Sequence, residues 1–135
     1  MRSLLAALVL LAFIPRAEAQ APSCLVPAAF PAIPIVSAAV ESGHVLKAAP
    51  GCLLGVYVTS TVAGFLMVFN SATVPANGAV TPVECVAVGA GATQYVNYAP
   101  FPPAGFTTGI SVAMSTTGCF NLTLSPTAFF HAVIQ

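Results

Sequence analysis

The chain has 135 residues, is 58% hydrophobic and only 4% charged, and carries no formal net charge and no tryptophan. That length accommodates one domain. Three basic and three acidic side chains exclude nucleic acid as a partner, because replacing the counterions of a phosphate backbone takes a row of cations, and they leave few groups for acid–base chemistry.

The first nineteen residues read as a secretory signal peptide. Arg2 supplies the positive start, Leu4 to Ile14 an apolar run, and Pro15 ends it before the small-x-small site Ala17-Glu18-Ala19. The run is short for a membrane span. Cys24 follows Ala21-Pro22-Ser23 and so lacks the leucine expected before a lipidated cysteine. Cleavage after Ala19 leaves Glu41, Lys47 and Glu84 as the only charged side chains. An ordinary soluble domain has about a quarter of its residues charged, so much of this surface is expected to face other protein subunits rather than water.

Residues 20–34 carry Pro22, Pro27, Pro31 and Pro34. Proline at that density removes backbone donors and favours extended geometry, which predicts an N-terminal arm. The remainder, 35–135, is predicted to be a single antiparallel β-sandwich, jelly-roll or Ig-like, of about 7–9 short strands. Ile35 to Val40 reads as an edge strand and His44 to Ala48 as the next. Pro50-Gly51 turns the chain into a strand over Cys52 to Thr59, with Leu54, Val56 and Val58 on the core face and Gly55, Tyr57 and Thr59 opposite. A strand follows over Phe65 to Asn70, in which Phe65 to Phe69 shows no polar alternation and should be covered on both faces. The uncharged stretch from Cys52 to Phe69 also has the length of a membrane helix, but its glycines, its Thr59-Ser60-Thr61 cluster and its β-branched residues favour strands.

Asn77-Gly78 and Gly89-Ala90-Gly91 are turn signals flanking a strand over Val80 to Val88, whose Pro82 confines its first half to an edge. Thr93 to Tyr98 alternates, with Tyr95 and Asn97 opposite Val96 and Tyr98. Ala99 to Gly105 reads as a rigid aromatic loop. Three further strands follow, Gly109 to Ser115, Cys119 to Ser125 and Thr127 to Ile134; in the second, Phe120, Leu122 and Leu124 are expected on the core side. Asn121-Leu122-Thr123 matches a glycosylation acceptor.

Four cysteines, Cys24, Cys52, Cys85 and Cys119, in a small secreted domain predict two disulfides. Of the three pairings, Cys52 with Cys85 and Cys24 with Cys119 is preferred here, on the expectation that the first two lie on neighbouring strands and the second pair ties the arm to the sheet. No C-x2-C spacing suggests a metal, and no cofactor is expected. Catalysis has little to work with: there is no aspartate for a Ser-His-Asp triad, and Glu41, Ser42 and His44 are too close along a strand to converge. Paired carboxylates would need Glu41 to meet Glu84. His131 reads as a hydrogen-bonded structural residue, and Lys47 as the partner of Glu41 or Glu84. The chain is therefore expected not to be an enzyme. Tyr57, Tyr95, Tyr98 and Phe101 are aromatics able to stack on sugars, and Tyr95, Tyr98, Phe101, Pro102 and Pro103 form the candidate binding surface.

The runs SGHVLKAAPGCLLGVYVTSTVAGFLMVFNSATVPANGAVTP (Ser42 to Pro82), PFPPAGFTTGISVAMSTT and TAFFHAVIQ resemble small β-sandwich proteins of tailed bacteriophages and prophages, the decoration and tail accessory components of virions. The resemblance implies a structural, self-associating module. It sits against an export signal and disulfides, which belong outside the cytoplasm. Two functional expectations follow: an assembly module that packs through uncharged sheet faces, secreted, periplasmic, at the cell surface or on a virion; or a secreted carbohydrate-binding or adhesion domain. A small outer-membrane barrel is a third, opposed by the absence of tryptophan girdles and a terminal aromatic residue.

Overall fold

A computed structural model describes Cys24, residues 31–98 and residues 104–135. The expected signal peptide, the rest of the arm up to residue 30, and Phe101, Pro102 and Pro103 lie outside the described residues. Those described contain no helix and eleven strands: β1 (Ile33–Val36), β2 (Gly43–Lys47), β3 (Gly51–Ser60), β4 (Gly64–Asn70), β5 (Gly78–Ala79), β6 (Glu84–Val88), β7 (Thr93–Asn97), β8 (Ala104–Phe106), β9 (Ile110–Ser115), β10 (Asn121–Leu122) and β11 (Ala128–Ile134). The chain is all-β. Every strand pairing is antiparallel.

Hydrogen bonding orders the strands β1-β11-β3-β7 in one sheet, with β8 also paired to β3, and β2-β9-β4-β6 in a second; β5 and β10 form a small third sheet. Side chains from the first two meet in one core. Val56, Val58 and Phe130 come from the first sheet, Leu66, Val112 and Met114 from the second, and none of the six has any exposed surface. Burying a side chain of this size contributes about 1.5–3 kcal/mol.

Local chemistry accounts for most of these elements. In β3 the β-branched Val56 and Val58 alternate inward while Tyr57 and Thr59 face out, as expected. Leu54 departs from the expected pattern. Ile134 pairs with Leu53 and Val133 with Gly55, so Leu54 is an extra residue in the ladder and Leu53 takes the core position. The turn between β6 and β7 places Gly91 at φ +69°, a backbone region that side-chain-bearing residues avoid.

Several expected boundaries shift. β1 takes in Ile33 and Pro34 from the arm, because Pro34 on an edge strand needs no donor toward solvent. The loop ends early, since Ala104 and Gly105 already pair with β3. The expected strand over Val80 to Val88 begins only at Glu84. Cys119 to Ser125 is not a continuous strand: Cys119 and Phe120 form a turn, β10 holds two residues, and Phe120 is 74% exposed rather than in the core.

The disulfides join Cys24 to Cys52 and Cys85 to Cys119, which overturns the expected pairing. The reason is layering. Cys52 lies on β3 and Cys85 on β6, strands of different sheets, so the two are not neighbours. Cys85 pairs with Met67 on the outer side of the second sheet, where the turn holding Cys119 crosses. The arm is tied down, as expected, but to β3.

Candidate functional site

The two main sheets differ in what their outer sides carry. On β4, Leu66 and Val68 enter the main core, while Met67 and Phe69 enter a second, smaller cluster with Ala113 and Leu122, walled by Val74, Val80, Cys85 and Leu124. This is why β4 lacks polar alternation: it is covered on both faces. The covering segments are fastened by polar bonds. Ser111 Oγ donates to the Thr73 carbonyl at 3.0 Å, Ser115 Oγ to the Asn121 carbonyl at 3.2 Å, and the Leu124 N–H to Asn77 Oδ1 at 2.7 Å. Ser111 and Ser115 are fully buried beneath this cap, with their hydroxyls bonded.

The outer side of the β1-β11-β3-β7 sheet has no such cap among the described residues. Strand register builds its surface row by row. One row runs Val36, His131, Tyr57, Tyr95 across all four strands; beside it run Phe129, Thr59, Thr93 and, on the other flank, Pro34, Val133, Gly55, Asn97. No lysine, arginine or carboxylate stands in these rows. Val36, Tyr57, Tyr95 and Phe129 are 50%, 40%, 41% and 37% exposed.

The aromatic residues form a ladder. The rings of Tyr57 and Tyr95 stack with centroids 3.9 Å apart and planes 10° from parallel, and the His131 ring lies 5.8 Å beyond Tyr57 at 30°. A Cβ on Gly55 would come within 2.9 Å of Tyr95 Oη, so the Tyr95 ring uses the space that a glycine leaves. Desolvation, then the hydrogen bond and charge of the Tyr57 phenol, push the Tyr95 pKa above the ordinary phenol value. Thr59 and Thr93 share a 2.8 Å hydroxyl hydrogen bond in the flanking row. The stacking occupies both faces of Tyr57 and one face of Tyr95.

The remaining candidate residues are dispersed. Tyr98 packs against the main core with its hydroxyl buried and without a hydrogen-bond partner, and desolvation, reinforced by the charge of Glu84, pushes its pKa up to about 12. It does not share the outward side of Tyr95. Lys47 Nζ donates to the Gln135 carbonyl at 2.8 Å rather than pairing with Glu41 or Glu84. Glu84 lies on β6, at the opposite edge of its sheet from β2, so the two carboxylates do not converge.

Glu41 and His44 do meet, against expectation. Glu41 precedes β2 in a bridge to Ala128, which turns its carboxylate back toward His44 Nδ1 at 2.7 Å. The serine that joins them is Ser37, not Ser42: Ser37 Oγ donates to Glu41 Oε1 and accepts the Phe130 N–H at 3.0 Å. A nucleophilic triad needs the imidazole between serine and carboxylate. Here the carboxylate is central and the serine is 4% exposed, so the cluster fastens the β1–β2 crossover to β11.

Sequence reasoning missed Ser37 because its partners are set by the crossover. The Tyr57–Tyr95–His131 ladder had a signal in the outward alternation of each strand, but their adjacency depends on register. Among the described residues, no cluster of three or more His, Cys, Asp or Glu side chains is placed to hold a metal, and no helix is long and apolar enough to cross a membrane. Compared with family models, curated proteins and solved structures, the chain finds no match.

Proposed function

We propose that this chain is a non-enzymatic structural module, exported from the cytoplasm, that assembles with other protein subunits through an uncharged sheet face. The two main sheets are read as the layers of an eight-stranded jelly-roll sandwich, since the orders β1-β11-β3-β7 and β2-β9-β4-β6, sharing one core, follow that winding. Two disulfides are compatible with a non-cytoplasmic location. The phage-like resemblance fits the same role, with the virion as the alternative place for it.

The observation that carries the reading is the face left uncapped among the described residues, with its Val36, His131, Tyr57, Tyr95 row. Tyrosine and histidine rings have an apolar body and a polar tip, the chemistry enriched in protein interfaces, and charge is depleted there as it is in interface cores.

Carbohydrate binding is the second reading, supported by the exposed tyrosines Tyr57 and Tyr95 on adjacent strands. It is the weaker because sugar stacking needs free ring faces, and those of Tyr57 are taken. Sedimentation of the mature chain over a range of concentrations tests the first reading, and retention on polysaccharide matrices the second. A chain that stays monomeric at the highest concentration and is retained by a glycan overturns the assembly role.

A further inference from the structure

We infer that the Cys85–Cys119 disulfide is a redox latch: a dithiol reductant opens it while Cys24–Cys52 stays closed, and its opening loosens the cap over Met67 and Phe69. The inference rests on how differently the two bridges are placed. Cys24 and Cys52 are 8% and 5% exposed, and Cys52 lies on β3 with its N–H and carbonyl bonded to Gln135. Cys85 and Cys119 are only half-buried. Cys85 stands on β6, an edge strand of its sheet, and Cys119 in a turn whose next residue, Phe120, is 74% exposed. Exchange begins when a thiolate reaches a disulfide sulfur, so access decides which bridge reacts first, and exposed bridges are also the more readily reduced.

What the bridge holds follows from strand order. In β2-β9-β4-β6, the chain leaving β9 crosses the outer side of β4, and Cys85–Cys119 ties the far end of that crossing to β6. The β5–β10 ladder, the Val80 N–H donating to the Phe120 carbonyl and the Leu124 N–H donating to Asn77 bind one covering segment to the other. Ser111 and Ser115 fasten the cover along β9. With the bridge open, the Cys119 turn keeps its hold on β9 but loses its covalent hold on β6, and Met67 and Phe69 stand on the strand between. The chemistry balances with a dithiol as co-reactant. Its thiolate attacks one sulfur, forming a mixed disulfide and expelling the other cysteine as a thiolate, which takes a proton. The second thiol of the reductant then attacks the mixed disulfide, so the reductant leaves as a disulfide and Cys85 and Cys119 remain as two thiols.

Graded dithiothreitol applied to the full chain, secreted so that its disulfides form, tests this when followed by alkylation and peptide mapping. Cys85 and Cys119 should be alkylated at reductant concentrations at least about tenfold below those that Cys24 and Cys52 require. In the same partly reduced chain, hydrogen exchange of the Val80 and Leu124 amides should quicken by about tenfold to a hundredfold, while the amides of β3 and β11 hold their rates. The double variant Cys85→Ser, Cys119→Ser should exchange fast at these amides without reductant. Reoxidation of the wild type should restore slow exchange, and that reversal separates release of the cap from loss of the fold. Alkylation of Cys24 and Cys52 before or together with the other pair overturns the ordering of the bridges. Unchanged exchange at Val80 and Leu124 once Cys85 and Cys119 are alkylated overturns the latch.

Discussion

Met67 and Phe69 on one outer side, and Tyr57 and Phe129 on the other, are large side chains one layer away from the same core, yet they meet different surroundings. The first pair is sealed beneath Leu122, and the second is left 40% and 37% exposed. The capped side combines apolar residues, a methionine, a phenylalanine and an alanine, with two serines whose hydroxyls are bonded beneath the cap. The open side mixes residues that tolerate either condition, Thr59, Thr93, Tyr57, Tyr95 and His131, with the apolar Val36, Phe129 and Val133. The contrast is one of tolerance: the capped side depends on its cover to keep Met67 and Phe69 from water, whereas the open side mixes polar and apolar residues at its surface.

The sharpest way to break the contrast is to release the cap. Replacing Cys85 and Cys119 with alanine removes a cross-link spanning 34 residues and should lower stability by about 3–4 kcal/mol on the chain-entropy estimate, as read by urea denaturation. It should also expose Met67 and Phe69 to a hydrophobic dye. Next is Leu122→Ala. Its side chain is fully buried but lies in a small cluster near the surface that is able to collapse, so the loss should be about 2–3 kcal/mol, toward the low end for buried leucine. Tyr57→Ala, on the open side, should cost the monomer only about 0.5–1 kcal/mol, the worth of a stacked aromatic pair. A loss as large as that of Leu122→Ala would mean that the open face is as integral to the fold as the capped one.

The smallest effect at neutral pH belongs to Tyr98, whose hydroxyl is buried without a partner. Its folded pKa, about 12, lies above the unfolded value of 10.0. The unfolded chain therefore loses this proton first, so the stability linked to the neutral phenol is fully present below about pH 10 and is lost as pH rises toward 12. Tyr98→Phe should flatten that part of the stability–pH curve and be neutral or slightly stabilising at pH 7.

How much of this was legible in the sequence depended on range. The strands over Cys52 to Thr59, Phe65 to Asn70 and Thr93 to Tyr98 were readable because alternation and β-branched content are local. Burial of Phe65 to Phe69 on both faces was also readable, from its lack of polar positions. What covers them was not. Phe120 was expected in the core because it alternates with Leu122 and Leu124, but Cys119 and Phe120 turn to reach Cys85, and a turn breaks the parity on which alternation depends. The disulfide pairing was misread because the layer holding each cysteine is set by strand order. Of the candidate surface, Tyr95 is on the open face, Tyr98 points to the core, and the tyrosine that stacks with Tyr95, Tyr57, comes from a strand about forty positions earlier, brought beside it by register alone.

Cys52 is held on two sides at once. Its sulfur is bonded to Cys24, and its N–H and carbonyl exchange bonds of 3.0 and 2.8 Å with Gln135. The two extremities of the described polypeptide are therefore gathered at one pole. A circularly permuted gene would need only a short linker between them, with new ends opened at the Gly89 to Gly91 turn. A label or carrier fused at that pole would project from one end of the strands, leaving both broad surfaces unobstructed.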